Sequence, residues 1–314
     1  MTIWTDTYGW PVPPVVLLAC LVAEVLYFRG WRVFVKAVQV REAARAAKLS
    51  PFTGSATGEY SWNRWLWRGI FFLCAIFTFL LASSAPVDIL SARFFWVHMV
   101  QHLLMLVVMP PLLVAAAPLI PLWLGLPRRA RRLLKRLRLG HVFYRLGQWL
   151  RQPAITCVLL VTGIWIWHWP PLYDLALTNG AIHDWGEHAT FVTVSTLFWS
   201  QVIPSPPLRL RAGYLGRIIC VGVAVAQNLV LAVLIGFAQT PLYAPYAHPG
   251  ASGGSWLTPI QDQQLGAGIM WTFGDLPFGI ALAVLVGRWL SSESEDTGAA
   301  PQPGAKQAVK EQRV

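Results

Sequence analysis

Charge and cysteine are what this sequence has least of. Only 12% of its 314 residues are charged while 55% are hydrophobic, and the mean hydropathy is +0.50. A soluble globular domain carries about 25% charged residues, so a surface wetted on all sides is excluded. The four cysteines, Cys20, Cys74, Cys157 and Cys220, each stand alone inside a separate apolar run. With no CxxC and no pairing spacing, a disulfide framework and a zinc ribbon are both excluded, which leaves buried apolar filler. No basic n-region precedes the first apolar run, so that run reads as a retained anchor and not as a cleaved signal peptide. Acidic residues are also few, 14 against 25 Lys and Arg, for a net charge of +11. Whether that surplus means nucleic acid depends on where it sits.

What is present is a series of apolar runs, at 12–28, 69–85, 94–117, 153–169, 189–203, 218–238 and 266–286. Each is long enough, or nearly so, to cross a hydrocarbon core of about 30 Å as a helix. The fifth is short, and the seventh is interrupted by Gly274, Asp275 and Pro277. The expected fold is an all-α integral membrane protein, a seven-transmembrane-helix bundle over 1–290. The remaining 291–314, rich in Glu, Ser, Gly, Pro and Gln, cannot bury a core and is expected to be a disordered cytoplasmic tail. All Lys and Arg except Arg93 fall in 29–68, 128–151, 209–217, Arg288 and the tail, which alternate with the other loops. By the positive-inside rule the N-terminus is outside and the C-terminus cytoplasmic. The basic run Arg128–Arg138 is then a juxtamembrane helix facing anionic lipid, with Leu133, Leu134 and Leu137 on the membrane, and nucleic acid is not expected as a partner. The segment 43–60 reads as a short helix followed by a flexible link. No internal repeat supports a transporter built from inverted repeats.

Polar groups concentrate on one helix and at one depth. At 100° per residue, His98, His102, Met105 and Met109 share a face of the third run, which is otherwise apolar apart from Gln101 and ends at Pro110 and Pro111. Such groups are costly in lipid and face the protein interior. With the predicted topology, His98 and His102 lie at the outer end of the third helix and His168 ends the fourth. His183 and His188 precede and open the fifth, and His248 lies in the last outer loop, leaving only His141 on the cytoplasmic side. The seventh run opens from the same outer side with Asp262, Gly266, Gly268 and Met270.

Imidazole with thioether suits copper, Cu(I) above all, whereas carboxylate-rich sites suit magnesium or calcium and thiolate-rich ones zinc. His98, His102, His168 and His188 are therefore candidate copper ligands, together with Met105, Met109, Asp262 and Met270. Each has an ordinary alternative. Histidines also hydrogen-bond between helices, Met fills irregular gaps, and Asp262 is placed to cap the seventh helix. Gly266 and Gly268 are expected to permit close helix approach, and Gln227 and Asn228 to bond between helices. Glu24 and Asp275 are open to a proton or ion role. Tryptophans such as Trp65, Trp67, Trp96, Trp169 and Trp289 read as an aromatic belt.

Four motifs in order carry a resemblance: His98-Met99-Val100-Gln101-His102 with Pro110 and Pro111; Trp167-His168-Trp169-Pro170 with Tyr173 and Asp174; Glu187-His188 with Leu197-Phe198-Trp199; and Asp262-Gln263 with Ile269-Met270-Trp271. Over 62–290 the sequence resembles the CtaG family of polytopic cytochrome c oxidase assembly factors. The resemblance implies a seven-helix protein of the bacterial inner membrane, not an enzyme, needed to mature a haem–copper oxidase by handling copper. The partners so implied are an oxidase subunit and a periplasmic copper donor, and the ligands carried over are His98, His102, His168 and His188. One departure matters. The family often has a second His four residues before the one matching His188, but here Asp184 holds that position and His183 is five before. On a continuous α-helix, residues five apart point about 140° from each other, so His183 is expected to join only from a loop or cap. Three other functions remain open on sequence: a haem b redox protein, a copper transporter using the Met stripe and Asp275, and a metal-free assembly scaffold.

Overall fold

A computed structural model describes residues 12–46, 57–136, 139–247 and 257–298. It is 84% helix, with no strands among the described residues. His248 lies outside them. The first helix, α1 (Pro14–Ala46), is followed by α2 (Thr57–Ala82), the short α3 (Ala85–Ser91) and α4 (Phe95–Leu103). A π-helical stretch, Leu104–Val108, joins α4 to α5 (Met109–Ala115), and α6 (Leu119–Gly125), α7 (Arg128–Arg136) and α8 (Leu139–Leu150) follow. Then come α9 (Pro153–Trp167), α10 (Pro170–Thr178), a second π stretch at Ile182–His188, α11 (Ala189–Val202), α12 (Tyr214–Gly236) and α13 (Pro259–Gly298).

Among the described residues, five stretches are long and apolar enough to cross a membrane: Pro14–Val40, Trp65–Ala82, Phe95–Ala115, Tyr214–Gly236 and Pro259–Glu293. A sixth results if α9 and α10, bent by 71° at His168 and Trp169, are taken as one broken span. The fifth expected run, 189–203, is a 14-residue helix, short of the roughly 20 residues a span requires. The basic segment does form a helix, α7, with Leu133 and Leu134 exposed. Helix α13 runs through Pro277 without interruption and on to Gly298, into the stretch expected to be tail. Its Ser291 and Ser292 hydroxyls turn back onto the Gly287 and Trp289 carbonyls.

Two apolar clusters hold the helices together. The smaller joins α1, α2 and the end of α5 around Tyr27, Phe72 and Ala116, with the Tyr27 ring stacked on Phe72 at 3.9 Å between centroids. The larger joins α4, α9, α11, α12 and α13 through Phe95, Phe191, Phe198, Trp199, Leu231 and Phe278. Both amides bond between helices as expected. Gln227 accepts from the Trp165 indole, and Asn228 donates to the Met270 carbonyl and to Asp275 at 2.9 Å each. Asp275 is thereby tied to α12. Gly266 lets α13 meet α4, since a Cβ there would run into the Phe95 ring, whereas Gly268 faces open space.

Proline accounts for the first π stretch. The Leu106 carbonyl would accept from residue 110 in an α-helix or residue 111 in a π-helix, and both are proline, without an N–H. Instead it accepts from the Ser195 hydroxyl and from the Trp199 indole at 3.2 Å, which fastens α11 to the helix bearing His98 and His102. The 100° projection that aligns Met109 with those histidines does not carry across Leu104–Val108, because the wider turn resets the phase.

Candidate metal centre

Three segments converge on one buried cluster. Helix α4 brings His98 and His102, the bend after α9 brings His168, and the second π stretch brings His183, Glu187 and His188. All six are buried, with His98 and Glu187 at 0% exposure. The i→i+5 bonding of the π stretch opens its turn so that positions five apart fall on the same side. That is how His183 and His188 come to lie with ring centroids 4.0 Å apart. The expectation that His183 could join only from a loop or cap assumed an α-helix, and the local helix is a different one.

Glu187 sits at the middle. Its Oε1 is 3.4 Å from His102 Nε2, and its Oε2 is 3.9 Å from both His98 Nε2 and His183 Nε2. His102 is the hub of the rings, with centroids 4.2 Å from His98, 5.8 Å from His168 and 6.1 Å from His188. Among the described residues, neither carboxylate oxygen of Glu187 has a hydrogen-bond donor, nor do His98 Nε2, His102 Nδ1 and Nε2, His168 Nε2 or His188 Nε2 have partners. Polar atoms buried without partners are rare and costly, and several pointing at one another ask for a shared ligand.

The second nitrogens fix which atoms are available. His168 Nδ1 lies 2.8 Å from the Ile164 carbonyl, which only accepts, so Nδ1 carries the proton and Nε2 the lone pair. The Tyr246 hydroxyl spends its proton on the Ser91 carbonyl at 2.5 Å and so accepts from His98 Nδ1 at 2.9 Å, leaving His98 Nε2 bare toward Glu187. Asp184 Oδ1 lies 3.3 Å from His183 Nδ1 and 3.8 Å from His188 Nδ1, which orients both rings from the solvent side. Above them is an aromatic cap: Tyr173 against Tyr243 at 3.9 Å, Phe95 stacked on Tyr243 at 5.1 Å, and Tyr246 edge-on to Phe95. Tyr243 donates to the His168 carbonyl.

The other expected site residues lie elsewhere. Asp262 accepts from the backbone N–H of Phe95 at 2.8 Å and of Trp96 at 3.1 Å, so it caps α4 from α13 and sets where that helix starts. Met270 belongs to the larger apolar core. Met105 and Met109 are buried in the first π stretch and at the head of α5. Glu187, Asp184 and Tyr246 were absent from the expected set. Glu187 carries a signal the sequence offers, a carboxylate flanked by His183 and His188 at the mouth of an apolar run. Tyr246 carries none.

The profile of the family described as cytochrome c oxidase caa3 assembly factor (Caa3_CtaG) matches residues 52–292, taking in every motif above. The chain belongs to this family. Among its relatives are uncharacterized proteins of Mycobacterium bovis and Mycobacterium tuberculosis, each 27% identical over 240 residues. One of Mycobacterium leprae is 23% identical over 239 residues. Each match covers 72% of this chain and 35% of the relative, so the chain spans about a third of their length. No solved structure matches.

Proposed function

We propose that this chain is an oxidase assembly factor, a non-enzymatic copper carrier of the bacterial inner membrane. It holds copper in the His/Glu cluster near the outer face and delivers it to a subunit of a haem–copper oxidase, receiving it from a periplasmic donor. The support is one observation: imidazole nitrogens from three segments converge on a buried carboxylate that has no hydrogen-bond partner among the described residues. Imidazole with carboxylate suits copper and zinc, and a set without thiolate releases its ion more readily than a Cys site. Family membership favours copper as the cargo. The expected mixed His/Met site becomes on this geometry a His/Glu site, with Met105 and Met109 reached further along the same helix. Seven spans, with the N-terminus outside, require the second π stretch and α11 together to serve as one crossing, and the continuous run from Ile182 to Val202 allows it.

Axial coordination of haem b is a poorer fit, because Glu187 fills the space between the facing nitrogens where an iron and its macrocycle would lie. The deciding experiment is Cu(I) titration of detergent-purified protein against a competing chelator, for wild type and His98→Ala/His102→Ala. Binding in the wild type and loss in the variant is expected. Folded wild-type protein without bound copper would overturn the reading.

A further inference from the structure

The cluster has more ligands than one ion can use, and Glu187 is shared by two sets of them, with a third group, His183, Asp184 and His188, joining the two. We propose that it holds two copper ions, bridged by the Glu187 carboxylate. This deepens the copper reading above and rests on it. Around Oε2, the ligand atoms of His98, His183 and Glu187 all lie within 4.8 Å of one another. The same holds for His102, Glu187 and His188, with Oε1 3.4 Å from His102 Nε2 and the His168 ring beside His102 as a fourth ligand. A single ion with bonds near 2 Å gathers about four ligands in a tetrahedron and cannot reach every buried nitrogen here that lacks a partner, His98 Nε2, His102 Nε2, His168 Nε2 and His188 Nε2, as well as Glu187. Two ions use all of them.

The surroundings follow the same division. His98, in the first set, is oriented by Tyr246, and His168, beside the second, by the Ile164 carbonyl. Asp184 reaches one ring of each set, His183 and His188, through the same oxygen. A carboxylate behind a ligating imidazole raises its basicity and fixes its tautomer. Asp184 is thus a positioning residue for both ions, and the wide turn of the π stretch is what lets a single segment serve both. Charge supports two monovalent ions over two divalent ones, because among the described residues the only carboxylates within 4 Å of these imidazoles are Glu187 and the half-exposed Asp184, with Asp88 acting on His183 from further off.

The test is the copper-to-protein ratio of detergent-purified protein loaded with Cu(I), for wild type, His183→Ala, His188→Ala, Glu187→Gln and the conservative Glu187→Asp. A second readout is the copper–copper distance from X-ray absorption. The expectation is two ions in the wild type, one in each His variant, a copper–copper vector of about 3.5–4 Å, and loss of that vector in Glu187→Gln with partial return in Glu187→Asp. One ion in the wild type with no metal–metal vector would overturn the two-ion proposal and leave the carrier reading intact. No copper at all would overturn both. Gel filtration of each variant identifies any that fails to fold, and the distance measured on wild-type protein stands without them.

Discussion

The Leu106 carbonyl is held by the Trp199 indole at 3.2 Å, with the Ser195 hydroxyl as second donor, because Pro110 and Pro111 leave it no helical partner. A buried carbonyl stripped of its donors costs about 1–3 kcal/mol. Ser195→Ala/Trp199→Phe is therefore expected to lower thermal stability in detergent by about that amount. Since α11 continues from the segment bearing Glu187, copper affinity should fall as well. A double variant with wild-type melting and affinity would show that the carbonyl has another partner.

Tyr246 tests orientation apart from ligation. Tyr246→Phe removes the acceptor for His98 Nδ1 and a donor to Ser91, but no metal ligand. Loss of such a support typically weakens metal affinity about 10- to 100-fold. The expected result is weaker Cu(I) binding with unchanged stoichiometry. A change in stoichiometry with unchanged affinity would contradict the role given to the tyrosine.

Much of this arrangement is legible in the sequence, and the failures share a cause. The apolar runs, the pairing of His98 with His102 and the family itself follow from composition, period and motif. The sequence admits His183 only from a loop or cap because that reading takes α-helical angles across Ile182–His188, where the helix is π. The same assumption carried the histidine face on to Met109 across Leu104–Val108. Asp262 was read as a cap for its own helix, but it caps α4, 167 residues earlier in the chain. A cap from a distant helix leaves no trace in local spacing.

Asp88, in the short helix between α2 and α4, supplies a pH test. Burial raises its pKa from 3.8 to about 6, outweighing the attraction of His183 and the 2.6 Å hydrogen bond from Gln101. Asp184 adds a smaller push in the same direction. The folded state therefore binds the Asp88 proton more tightly than the unfolded state, and stability contributed at low pH is lost as pH rises from about 4 to about 6. Asp88→Asn is expected to flatten the melting profile over that window. Parallel profiles for wild type and variant would mean that Asp88 titrates normally.

Gly266 sets how near α13 comes to α4. An added Cβ meets the Phe95 ring, which stacks on Tyr243 in the aromatic cap, so Gly266→Ala must displace that ring or the helix. Overpacking of this kind costs about 1–3 kcal/mol. Lower melting temperature is expected, whereas Gly268→Ala, with open space around it, should melt like the wild type. Equal effects at the two positions would contradict the packing described.

Glu187 separates stability from binding most sharply. Its carboxylate is fully buried with no hydrogen-bond donor, so without metal its charged form is a liability to the fold. Glu187→Gln removes that charge while keeping the shape, and the copper-free variant is expected to melt higher than copper-free wild type. Copper should reverse the order. A ligand at 100 times its Kd stabilises the state that binds it by about 2.7 kcal/mol, a gain open to the wild type and largely closed to the variant. Melting curves of both proteins, with Cu(I) and with chelator, give the four values needed. If Glu187→Gln destabilises the copper-free protein and leaves the copper-induced shift unchanged, the carboxylate is a structural group and the ion is held elsewhere.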